Sequence, residues 1–137
     1  MPVKLEHIRT PEAADWLDLE KIHQDTAENG FKKNSSELQQ WLNDGGWIVA
    51  GRFNDRLIGA FLAKEASPNS VELSQAGVRT VTQRRGVIHQ MIHFMSKWSN
   101  EQNKSLVVND CPAELHAALS HRDFVQSDTT WIYNPLR

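Results

Sequence analysis

Between residues 47 and 108 the hydrophobic pattern changes period twice, and no other feature of the chain limits the fold as much. Trp47–Phe53 (WIVAGRF), Arg56–Ala66 (RLIGAFLAKEA) and Val71–Arg79 (VELSQAGVR) are three strand-like runs. Asn54-Asp55 and Ser67-Pro68-Asn69-Ser70 separate them, and both separators are turn-forming. Strands joined by turns this short fold back on one another, which predicts an antiparallel meander. The period then becomes helical. Ile88, Met91, Ile92, Met95 and Trp98 lie at i, i+3, i+4, i+7 spacing and form the apolar face of a long helix from Val87 to about Gln102. Ser105–Val108 (SLVV) follows as a short buried strand. A meander that continues into a strand–helix–strand unit is an α/β arrangement, with a mixed, mostly antiparallel central sheet flanked by helices.

The flanking segments fit around that centre. Val3–Ile8 alternates weakly as a strand. Thr10 is expected to cap a helix with Pro11 in its first turn, carrying Trp16, Leu19 and Ile22. The polar stretch Asp25–Asn34 is expected to be a loop. Ser35 or Ser36 would cap a second short helix that stops at Asn43-Asp44-Gly45-Gly46. After the SLVV strand, Pro112 would open a helix over Ala113–Leu119. Asp123–Tyr133 would close the fold as two strands around a turn near Gln126–Thr129. At 137 residues the whole chain, 1–137, reads as one domain.

Composition excludes several classes of function. A formal charge of −2 lacks the basic surplus of a nucleic-acid protein. No apolar run approaches the roughly 18 residues that a membrane span requires, and MPVKLEHIRT has no signal-peptide core. The single cysteine, Cys111, allows no intrachain disulfide. A reducing, cytoplasmic setting is the expectation, with Cys111 an inert thiol. His89 and His93 sit four apart in HQMIH, but no third ligand is evident, so no metal site is expected. Trp47, Trp98 and Trp131 read as packing residues.

The chemistry concentrates at Thr82-Gln83-Arg84-Arg85-Gly86-Val87, between a strand and a helix start. Unpaired N–H groups and the helix dipole make such a point a seat for a pyrophosphate. Arg79, Arg84 and Arg85 add charge, and Gly86 lets backbone and phosphate approach closely. A solvated basic loop is the competing reading of the same residues.

Gln83-Arg84-Arg85-Gly86-Val87-Ile88, placed after a central strand and before a long helix, resembles the acetyl-CoA signature of the GNAT acetyltransferase superfamily, Gln/Arg-x-x-Gly-x-Gly/Ala. The glycine and the residues before it match, whereas Ile88 stands where Gly or Ala is usual. The resemblance implies a GNAT fold and acetyl-CoA or CoA as cofactor. It puts the pyrophosphate on the N–H groups of Arg84 to Ile88, with His89 close to the phosphates. The pantetheine arm would run along Ala76-Gly77-Val78 as an added edge. Arg52-Phe53-Asn54-Asp55-Arg56-Leu57, Val78 through Val87, Asp18–Ile22, Ala117 through Phe124, and Trp131 are similar to the PanZ (PanM) family. Gly77 and Ile88 depart from the residue types expected there. That resemblance implies a CoA-dependent regulator that promotes maturation of aspartate 1-decarboxylase (PanD) of pantothenate synthesis and inhibits the mature enzyme. Arg52 and Asn54 would meet the decarboxylase, with Arg79 on the neighbouring surface, and Arg52→Ala would weaken the complex while leaving the fold intact. From the residues alone, Arg52–Arg56 is an ordinary solvated hairpin tip.

Acetyl transfer to an amine needs a base and an acid. Glu72 is the candidate base. The stretch Cys111–Arg122 holds no tyrosine to act as acid, and the only one, Tyr133, lies elsewhere. That favours a binding or regulatory role over an active N-acetyltransferase. The substitution at Ile88 also leaves open a GNAT-shaped domain that binds no cofactor.

Overall fold

Strands β2 (Trp47–Phe53) and β3 (Arg56–Ser67) are apolar along most of their length because both of their faces are covered. The computed structural model describes residues 3–26, 30–79, 85–109, 111 and 113–135, with Arg85 and Glu114 as backbone only. On one face, Trp47, Val49, Phe61 and Ala63 pack with Val87, Met91, Ile92 and Met95 of helix α3 (Arg85–Gln102) and with Ala118 and Leu119 of helix α4 (His116–His121). On the other, Ile48, Ala50, Ala60 and Leu62 meet Leu19 and Ile22 of helix α1 (Ala13–Thr26) and Leu38 of helix α2 (Ser35–Asn43). Successive strand residues point to opposite faces, so each of these strands contributes to both cores.

The remaining strands are β1 (Lys4–Ile8), β4 (Ser70–Val78), β5 (Ser105–Asn109), β6 (Val125–Ser127) and β7 (Thr130–Tyr133). They form a seven-stranded sheet among the described residues, in the order β1-β2-β3-β4-β5-β7-β6. Every neighbouring pair is antiparallel except β4 with β5. The meander, the long helix and the mixed sheet are therefore as the hydrophobic periods predict. No described helix is long and apolar enough to cross a membrane.

The β2–β3 turn is a two-residue loop with positive φ at both Asn54 (49°) and Asp55 (65°). That is the backbone twist favoured in tight hairpins, and Asn and Asp tolerate it better than most residues. Trp47 and Trp131 are buried, and Trp98 packs against the same core.

Several element ends differ from the sequence expectation. Helix α1 starts at Ala13 rather than near Thr10. The Glu12 amide donates to Asp15 Oδ2 (3.3 Å), and the Trp16 amide donates to the Glu12 carbonyl (3.0 Å). The cap of α2 is Asn34, not Ser35 or Ser36. Asn34 Oδ1 accepts from the Glu37 amide (2.9 Å) while Glu37 Oε1 accepts from the Asn34 amide (3.0 Å), a reciprocal capping box. Helix α3 starts at Arg85, two residues before Val87. The helix expected over Ala113–Leu119 is a 3-10 turn at Ala113–Leu115 followed by α4, which runs on to His121.

Candidate functional site

The feature that builds the site is a bulge in β4. Its register against β3 moves from Leu62↔Ser74 to Ala60↔Gly77, so that Gln75 and Ala76 together oppose Phe61. Gln75 sits at φ +54° to make the extra step, and an inserted residue bends its strand. The parallel pairing of β4 with β5 runs only from Ser70↔Ser105 to Leu73↔Val108. Beyond Leu73 the two strands part. The outer edge of Ser74–Val78 has no neighbouring strand among the described residues, the kind of edge that an extended ligand can join.

A cleft of about 180 Å³ lies where the strands diverge. Its apolar wall is Phe61, Leu73, Val108, Leu119 and the α3 residues Ile88 and Ile92. Its polar rim is Ser74, Gln75, Asn109, Cys111 and Lys32. The Lys32 amide donates to Gln75 Oε1 (3.0 Å), which ties the chain leading into α2 to the bulge. Gly30 and Gly77 allow that chain to lie against β4. A Cβ on Gly30 would stand 2.7 Å from the Ala76 carbonyl oxygen, and one on Gly77 would stand 2.5 Å from Thr26 Oγ1.

The start of α3 faces the same region, through Ile88 in its first turn. The first N–H groups of a helix have no intrahelical acceptor. Gly86 is exposed, and a Cβ there would meet nothing closer than Gln90 Nε2 at 3.8 Å. Internal packing therefore gives no reason for glycine at this position, whereas close approach of a ligand does. Val87 is turned away into the core. Ile88, the departure from the signature, packs partly against the core and forms part of the cleft wall. Gln83 and Arg84 lie outside the described residues, as does the side chain of Arg85. Of the expected edge, Ala76 lines the cleft, Val78 is buried, and Gly77 is fixed by the contact just described.

The proton-transfer candidates are arranged unevenly. Glu72 accepts from Asn109 Nδ2 (2.7 Å), and Asn109 Oδ1 accepts from Thr130 Oγ1 (2.8 Å). Asn109 lines the cleft, whereas Glu72 is not among its lining residues. An amide orients a carboxylate but does not relay a proton to it. The Tyr133 hydroxyl donates to Asn100 Oδ1 (3.0 Å) in the later turns of α3, whereas the cleft is lined by Ile88 and Ile92 of its first half. Gln75, Asn109, Lys32 and Cys111 are among the lining residues that the sequence does not announce. A one-residue bulge leaves no mark in hydrophobic periodicity, and Cys111 is a cleft residue as well as a lone thiol.

The hairpin tip is not simply solvated. Arg52 Nε donates to Glu6 Oε2 (2.6 Å), and its Nη1 donates to Asp15 Oδ1 (3.0 Å) and to the Asp55 carbonyl (3.2 Å). Hydrogen bonds from Asp15 and then Glu6 hold this guanidinium charged beyond its usual range. Arg52→Ala would leave Asp15, which is buried, with the Glu12 amide but without its counter-charge. Arg52 is thus part of what holds the tip, and Arg52→Ala removes structural contacts along with any partner contact. Asn54 is exposed. Arg79 forms an ion pair with Asp25 (3.3 Å), and its amide donates to the Ile58 carbonyl (2.8 Å).

Solved structures with this arrangement are numerous. YhhK from E. coli, solved bound to coenzyme A, is 20% identical with a TM-score of 0.66, covering 98% of this chain and 99% of that one. The aminoglycoside 6′-N-acetyltransferase from Enterococcus faecium is 8% identical with a TM-score of 0.77, covering 98% of both chains. N-acetylglutamate synthase from Neisseria gonorrhoeae, complexed with coenzyme A and N-acetyl-glutamate, is 9% identical with a TM-score of 0.73, covering all of this chain and 36% of that one. These likenesses establish the GNAT fold. No curated protein matches the chain. The family model of the acetyltransferase (GNAT) domain of PanZ matches residues 2–126, and the chain belongs to that family.

Proposed function

We propose that the protein binds coenzyme A or acetyl-CoA in the cleft between β4 and β5 and that, in this state, it promotes maturation of aspartate 1-decarboxylase and regulates it. The observation that carries the cofactor reading is the open edge of Ser74–Val78, which runs alongside a cleft walled by the first turns of α3. A pantetheine arm has amide donors and acceptors spaced to add to a strand edge. A pyrophosphate suits the unpaired N–H groups at a helix start. The glycine at position 86, with no internal packing to explain it, fits the same ligand. YhhK and N-acetylglutamate synthase, which share the fold, were both solved with coenzyme A.

A regulatory role is favoured over turnover by what surrounds Glu72. Its carboxylate is bonded to Asn109 and does not line the cleft, and the one tyrosine is bonded to Asn100. The decarboxylase as partner rests on membership of the PanZ family and on the exposed Asn54 tip.

Calorimetric titration with CoA and with acetyl-CoA tests the cofactor reading. The wild type should bind, and Gly86→Asp, which sets a carboxylate against the phosphates, should not. Equal affinity in the two proteins would overturn the assignment. Thiol release across a panel of amines should be at background. Robust turnover that vanishes in Glu72→Gln would make the protein an active N-acetyltransferase instead.

A further inference from the structure

The outer flank of α3 carries a group of nitrogen-rich side chains that the cleft does not use. His89 and His93 lie one turn apart on α3, and His121 and Arg122 close α4 beside them. The rings of His89 and His121 meet edge to face at 6.0 Å. Arg122 Nη1 lies 3.4 Å from His93 Nδ1. A guanidinium can only donate, so His93 Nδ1 is the acceptor, and Nε2 of a neutral ring then carries the hydrogen. Arg122 Nε is buried with no hydrogen-bond partner among the described residues. No described carboxylate forms an ion pair with Arg122. A guanidinium anchored at one end, with no described carboxylate paired to it, retains charge that an anion can neutralise.

We infer that His89, His93, His121 and Arg122 form a phosphomonoester site between α3 and α4, and that it takes the 3′-phosphate of the cofactor's adenosine. This rests on the cofactor reading above. His89 follows the proposed pyrophosphate seat by less than one turn. A ligand with its pyrophosphate at Gly86 and its pantetheine in the cleft has its adenosine and 3′-phosphate left over, and the α3–α4 cluster begins within one turn of that seat. A terminal phosphate presents three acceptor oxygens. Arg122 and the imidazole N–H groups supply donors in matching number.

The test compares CoA with 3′-dephospho-CoA, which differs only in that phosphate. By calorimetry CoA should bind about tenfold or more tightly than the dephospho form, the effect of a charge-assisted hydrogen bond or two. That preference should shrink towards unity in Arg122→Gln and in His93→Ala, while affinity for the dephospho form stays as in the wild type. His93 is exposed on α3, so its variant reports on the site even if Arg122→Gln folds poorly. Equal affinity of the wild type for both ligands would overturn this inference and leave the cofactor reading intact. A preference that persists in both variants would also overturn it, since the phosphate would then be held elsewhere. Binding of neither ligand would remove the cofactor reading and this inference together.

Discussion

Asp18 is the residue on which the hairpin tip depends most directly. It is buried, accepts two hydrogen bonds from Arg56 Nε (3.0 and 3.1 Å) and one from Nη2 (2.5 Å), and receives the Leu57 amide (3.0 Å). Burial alone would raise its carboxyl, but the hydrogen bonds from Arg56 and Leu57 outweigh burial and hold it below the usual carboxylate range. A depressed folded value contributes stability above the unfolded value, about 3.9. That stability is lost as the pH falls below it and through the folded value. Urea unfolding from pH 7 down to pH 2 should therefore show wild-type stability falling more steeply below about pH 4 than that of Asp18→Asn. Parallel curves would refute the assignment. At neutral pH, Asp18→Ala should cost about 1–3 kcal/mol, because it leaves the buried Leu57 amide without an acceptor. None of this partnership is legible in the sequence. Asp18 and Leu57 lie 39 positions apart, and an aspartate in a helix reads as a solvent-facing residue until its tertiary partner is known. Asn54-Asp55, by contrast, is readable because Asn and Asp tolerate the positive φ that a two-residue hairpin loop favours.

At the scale of elements, the sequence discloses what repeats and hides what breaks the repeat. The three strands, the α3 stripe from Ile88 to Trp98 and the SLVV strand follow from periods of 2 and 3.6 over many residues. The bulge at Gln75 and the parting of β4 from β5 turn on single residues, and no period records them. The two glycines of the site separate these cases. Gly77 is fixed by packing. Gly77→Ala should force its Cβ into Thr26 and Phe31 and cost about 1–3 kcal/mol in urea unfolding, as overpacking does. Gly86→Ala has open space at the start of a helix. It should leave stability unchanged or raise it by up to about 1 kcal/mol, yet weaken CoA binding by crowding the pyrophosphate. A variant that loses stability at Gly86, or keeps full CoA affinity, would show that this glycine does not answer to a ligand.

Across the whole molecule, α1 joins the two regions that the proposed function needs to communicate. Near its start, Asp15 holds Arg52 and Asp18 holds Arg56 at the hairpin tip. At its end, Asp25 pairs with Arg79, and Thr26 abuts Gly77 on the cleft edge. One helix is thus fastened by three aspartate–arginine pairs to the surface proposed for the decarboxylase and to the strand proposed for the cofactor. A ligand seated along the β4 edge and at the start of α3 lies at either end of the step that begins with Arg79, and through the Asp25 pair it would bias α1 and the tip. The prediction is that CoA tightens the complex with aspartate 1-decarboxylase by a factor in the range of about 5–150, and that the decarboxylase tightens CoA binding by the same factor. Asn54→Gly removes the exposed side chain while keeping a residue at ease with positive φ. It should weaken the complex without touching CoA affinity in the isolated protein, and so reports on the surface more cleanly than Arg52→Ala. Asp25→Asn should leave each separate affinity near its wild-type value and bring the coupling factor down towards one. CoA titrations with and without the decarboxylase, on wild type and both variants, measure every term. Undiminished coupling in Asp25→Asn would show that α1 is not the link, and failure of the wild type to bind the decarboxylase at micromolar concentrations, with or without CoA, would end the regulatory reading.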